Sequence, residues 1–185
     1  MDSFSEILSG VRLSGAVFFS AEFSAPWGFS QPASNIMAAR LAPGAEHLLL
    51  YHLVVEGGAV IELADAEPVE LRPPVELLAG DIVVFPHGHA HHMSSGKGTP
   101  RPFPNYGIGA KIQARDLSPL HAGGGGDISR FVCGYMTCDP YLCRPLLNGL
   151  PPVFKVSIRT DRSGRWLETF HSASGGRSGI GKSGQ

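Results

Sequence analysis

The sequence predicts an all-β fold. Three observations lead there. The 185 residues include 24 Gly and 15 Pro, which cut the chain into short segments and disfavour a helical bundle. The apolar runs are short, as in His47 to Val55 and Ile82 to Phe85. Gly57-Gly58 joins two such runs as a hairpin turn would. The length suits one domain with a substantial core.

Taken in order, Ser3-x-x-Glu6 is a capping-box pattern ahead of Ile7 and Leu8, so a short N-terminal helix is expected. Leu13 to Phe23 is rich in Val, Phe and Ala and reads as a strand. Ala25-Pro26-Trp27-Gly28 reads as a turn, with Trp27 and Phe29 as packing residues. Asn35 to Leu41 is expected to be a second, weaker strand. His47 to Val55 is apolar on both faces and predicts a strand covered on both sides. Ala59 to Leu63 is its hairpin partner. Glu67 to Leu78 holds two short segments around Arg72-Pro73-Pro74.

Gly80-Asp81 opens a turn. Ile82 to Phe85 suits a pleated, buried surface, and Pro86 ends the ladder because it has no N–H to give. Strand parity places Val83, Phe85 and, if extension persists, His87, His89 and His91 on one side. Ser94 to Tyr106 and Leu117 to Asp127 are expected to be loops, the second made mobile by Gly123 to Gly126. Ser129 to Thr137 and Val153 to Ile158 predict strands, Tyr141 to Leu147 a short helix, and Arg165 to Phe170 one or two helical turns. Residues 1–170 form the expected domain; 171–185, with almost no apolar side chains, is expected to be a disordered Gly/Ser-rich tail.

The stretch GDIVVFPHGHAHHM, Gly80 to Met93, carries the sharpest signal, with four histidines between His87 and His92. Its spacing, Gly80, Pro86, Gly88 and His91, resembles the second motif of the cupin superfamily, with Ser95 standing where that motif has Asn. Val54-Val55-Glu56-Gly57 resembles the end of the first motif. More landmarks follow in order: Asp2 to Leu13, His52-Leu53-Val54, Cys133-Gly134-Tyr135, Pro145-Leu146-Leu147 with Leu150-Pro151, and Arg165-Trp166-Leu167. Together they resemble the N-terminal cupin domain of AraC-type transcription regulators over Met1 to about Leu167. The resemblance implies a double-stranded β-helix, a jelly-roll-like barrel with short helical additions. It also implies a sensor and dimerisation module for an unknown small-molecule ligand.

In that family a following domain with two helix-turn-helix motifs binds DNA. After Trp166-Leu167-Glu168 there is no length for one, so direct nucleic-acid binding is not carried over, and the chain reads as the sensor part alone. A net charge of −1 gives no electrostatic case for it either. No secretory pattern opens the chain and no apolar run is long enough to span a membrane, so a cytoplasmic location is expected, and the resemblance implies a homodimer. The three cysteines, odd in number, fit reduced thiols.

For site chemistry, His87, His91, Cys133 and Cys138 form the candidate metal set, with zinc the expected divalent ion, since imidazole and thiolate are its usual ligands. The alternatives are plain: loop histidines bonded to backbone or water, and Cys133 as a small buried apolar group. Metal-binding cupins carry a His-x-His and a Glu in the first motif; here Leu50 stands where the Glu would be, and His52 is the candidate that could complete a site with His91. The missing ligands weigh against the alternative of a small metal-dependent dioxygenase or isomerase. No nucleophile elbow, phosphate loop or HExxH appears, and no catalytic residue is assigned. Arg40, Arg72 and Arg101 are the cations that could meet an anionic ligand.

Overall fold

The computed structural model describes residues 14–45, 47–64, 73–96, 99–103, 106–137 and 140–158. The expected N-terminal helix, the turns over 165–170 and the tail lie outside these residues. The strands are β1 (Ser14–Ser24), β2 (Gly28–Gln31), β3 (Leu48–Glu56), β4 (Gly58–Leu63), β5 (Val75–Leu78), β6 (Asp81–Phe85), β7 (His91–Ser94), β8 (Leu120–Gly123), β9 (Ile128–Thr137) and β10 (Phe154–Ser157). The helices are α1 (Ser34–Leu41), α2 (Ile108–Ala114) and α3 (Pro140–Asn148).

The strands form two sheets, ordered β10-β6-β3-β9-β1-β8 and β2-β7-β4-β5. This is the expected all-β, double-stranded β-helical architecture. The alternation of β3 sets its two faces. Leu50, His52 and Val54 are fully buried between the sheets, while Leu49 points the other way and packs with Cys143 and Leu147 of α3. Between the sheets Phe23, Trp27, Phe29 and Phe131 make a continuous aromatic core, with Trp27 and Phe131 centroids 4.9 Å apart, and Phe19 is buried in the same hydrophobic cluster. Each fully buried side chain of this size contributes about 1.5–3 kcal/mol, so this core outweighs any single polar contact.

Two expectations are corrected. Asn35 to Leu41 is helical, not a strand. Met37, Ala38, Ala39, Arg40 and Leu41 are strong helix formers or tolerate helix well, and the buried pair Ser34 and Met37 has the three-residue spacing of a helix face. Leu117 to Asp127 is not wholly loop, because Leu120–Gly123 pairs in parallel with the end of β1. The glycines make that approach feasible: a Cβ at Gly123 would lie 1.9 Å from the Ser24 carbonyl oxygen. Gly124 and Gly126 donate to the carbonyls of Ser24 and Ala25, each at 2.8 Å, so the run is fastened to the barrel. Helix α2 falls inside no expected element.

Candidate functional site

The motif stretch brings His91 into the barrel by a sharp turn after β6. Gly88 takes φ +64, and a Cβ there would meet the Ser34 hydroxyl oxygen at 1.8 Å, so only glycine lets the turn seat against α1. β7 then runs in the smaller sheet with His91 and Met93 buried. In the larger sheet His52 of β3 stands directly opposite Cys133 of β9. His52 and His91 therefore meet across the barrel from opposite sheets.

Their contacts form one directed chain. His91 Nδ1 lies 3.0 Å from the His89 carbonyl, which can only accept, so that nitrogen carries the proton. His91 Nε2 is then an acceptor and receives His52 Nε2–H at 2.7 Å. This leaves His52 Nδ1 as acceptor for the Cys133 thiol, 2.6 Å away. Every member is satisfied with both rings neutral. The His91 ring also stacks on Phe85, with centroids 3.7 Å apart and planes 5° from parallel.

Burial favours the same neutral state. It pushes His91 down to about 4, against the raising effect of the His89 carbonyl and with a smaller lowering effect from His92. It holds His52 well below the usual histidine range, helped by the neighbouring His91. Burial pushes the Cys133 thiol up, which keeps it protonated. A buried, neutral thiol is a poor nucleophile.

As a metal site the arrangement does not converge. Two nitrogens on one tetrahedral zinc stand about 3.3 Å apart, given bonds of about 2.05 Å, whereas the two Nε2 atoms are 2.7 Å apart in a hydrogen bond. Cys133 occupies the opposite nitrogen of His52, so it is on the wrong side of the ring to share an ion with His91. His87 is half-buried in the turn, with Nε2 3.2 Å from the Leu150 carbonyl oxygen. Cys138 lies outside the described residues. Among the described residues no group of three or more His, Cys, Asp or Glu side chains is disposed to hold a metal ion. Of the expected set, the fold thus gathers His91 and Cys133 around His52 and leaves His87 apart.

A second site was not legible in the sequence. A cavity of about 380 Å³ opens beside the barrel, between α1, β2 and α2. Ile36 and Arg40 border it from α1, four residues apart and so on one helix face. Ile108 and Ile112 border it from α2 with the same spacing, while Phe103 and Tyr106 close another side. Buried Gln31 contributes a side-chain amide, and that amide abuts the thioether sulfur of Met37. The repeated four-residue spacing was the only sequence signal, and it is too common to mark a cavity.

A family model described as "Cupin" matches residues 2–173. No curated protein matches the chain. Among solved structures, the chain is similar to YhaK from Escherichia coli, with 11% identity and a TM-score of 0.37, covering 82% of this chain and 44% of that one. It is similar to ToxT from Vibrio cholerae O395, with 8% identity and a TM-score of 0.36, covering 92% of this chain and 48% of that one. Pumpkin seed globulin matches with 14% identity and a TM-score of 0.26, covering 82% of this chain and 29% of that one. The chain spans about half the length of YhaK and ToxT. At these values the family model carries the assignment, and the structural likenesses add no argument.

Proposed function

The chain belongs to the cupin family, and from that premise we propose that it is the ligand-sensing and dimerisation module of an AraC-type transcription regulator, with no reaction of its own. The observation that carries this reading is the cavity of about 380 Å³, which lies in the size range of small-molecule sites and is walled mainly by apolar side chains. The barrel interior, by contrast, is filled by side chains that bond one another. A ligand in the cavity would touch both α1 and α2. If it fits one relative position of these helices better, it shifts the population toward that position, and a partner domain reads the shift.

The test is a thermal-shift screen of small metabolites on the full chain, with Gly109→Trp as the control. Gly109 is an exposed residue of the cavity lining, and a Cβ added there meets nothing within 4 Å, so a Trp crowds the cavity's edge without a clash against the fold. The expected result is at least one compound that raises the melting temperature of the parent chain and not of the variant. Light scattering should give twice the chain mass of 19.6 kDa. A screen without a single such compound would count against the sensor role.

A small metal-dependent dioxygenase or isomerase is the competing reading. What favours it is the meeting of two imidazoles inside the barrel. Elemental analysis of the purified chain separates the two. Near-stoichiometric iron or manganese, lost on His91→Ala, would support the enzyme. Zinc held in a closed set of ligands would support a structural metal instead. The sensor reading expects neither to be needed for ligand binding.

A further inference from the structure

We infer that the cavity beside the barrel recognises an aromatic carboxylate, with Arg40 as the reader of its charge. The inference rests on the sensor reading above and names the ligand class of that site.

The argument is one of charge and shape. Among the described residues, Arg40 is the cation of the cavity lining, and no Asp or Glu lines it. Among the described residues no carboxylate stands within ion-pair distance of Arg40, although Arg101 and Arg130 each have a Glu partner and Lys111 an Asp. A guanidinium bordering an apolar hollow without a counter-ion is suited to an anion that brings its own apolar body. Arginine's planar fork matches a carboxylate with two parallel bonds.

A second polar group points the same way. Gln31 is 4% exposed and lines the cavity, and its side-chain amide abuts the thioether sulfur of Met37, at best a weak acceptor. A carboxylate oxygen would be a stronger partner for that N–H. The walls then select the body of the ligand. Phe29, Phe103 and Tyr106 offer three rings, and flat rings pack on rings in offset or edge-on fashion. An aromatic acid satisfies all three features at once: a flat apolar body, one negative charge and acceptor oxygens.

The probes are 4-ethylbenzoate and its uncharged counterpart 4-ethylbenzamide, titrated calorimetrically against the full parent chain, Arg40→Gln and Gly109→Trp. The benzoate should bind the parent chain more tightly than the benzamide. Arg40→Gln should weaken the benzoate about tenfold or more, the loss expected for one hydrogen bond to a charged group, and leave the benzamide unchanged. Gly109→Trp should remove both. Equal affinities for the two probes, or an Arg40→Gln effect that is the same on both, would overturn the carboxylate assignment. So would a failure of both probes to bind. The sensor reading is judged separately by the metabolite screen: uncharged compounds displaced by Gly109→Trp would keep it while this inference fell.

Discussion

The barrel interior and the cavity beside it treat polar groups in opposite ways. Inside, Cys133, His52, His91 and the His89 carbonyl consume one another's donors and acceptors, and burial keeps both rings neutral. Outside, Arg40 has no described counter-ion and Gln31 abuts a thioether. The first region carries the more conspicuous chemistry, yet it is closed on itself. The second is made of ordinary residues with bonding capacity left over. A cluster of titratable groups marks a binding site only where some of its valence is unspent.

The largest expected effect breaks the interior chain. His52→Ala removes the central ring, leaves a cavity in the core and strips both His91 and Cys133 of their partner. The loss should be about 3 kcal/mol or more in urea unfolding. A near-neutral result would mean that the chain of bonds contributes little and that the interior has room for something else.

Next comes pH. The folded-state value of His91 is lowered from its ordinary 6.5 to about 4, and that of His52 is lowered as well. Between these limits the unfolded chain binds more protons than the folded one. Stability therefore rises with pH across this window and is lost as pH falls from about 6.5 toward 4. For His91 alone the loss is about 3 kcal/mol. His91→Gln should flatten the profile over the same range in equilibrium unfolding. An unchanged slope would place the titrating groups elsewhere.

The smallest effect belongs to the outer cavity. Arg40→Gln changes an exposed side chain, and its folding stability should stay within about 0.5 kcal/mol of the parent. A larger loss would show that Arg40 holds α1 in place and would remove the contrast between the two regions.

How far these regions were legible differs for a physical reason. The strands β3, β6 and β9 announce themselves through local pattern, as does the turn from Pro86 through Gly88. His52 was a candidate partner for His91 because the two motif strands face each other in this architecture, and they do meet. Tertiary geometry alone decides that His52 offers one nitrogen to each neighbour, so that Cys133 and His91 cannot share an ion through it. Asn35 to Leu41 was misread because its seven residues span only about two helical turns, too few to show a clear period. The cavity was invisible because its walls come from residues as distant as Phe29 and Ile112, which converge only in the folded chain.

Asp81, the second residue of the motif, has a mechanical consequence. Its fully buried carboxylate accepts from the Leu78 N–H at 2.9 Å and from the Ser157 hydroxyl, while Ile158 N–H donates to the Gly80 carbonyl at 2.9 Å. These bonds sit at the end of β10, an edge strand of four residues paired with β6. Tension applied to the chain at Ile158 acts directly on this clasp. Once it parts, β10 can peel from β6 one rung at a time, and the ladder between β3 and β9 stays unloaded until then. The Gly80-Asp81 turn is thus the mooring through which a pull at Ile158 reaches the strand that leads to His91.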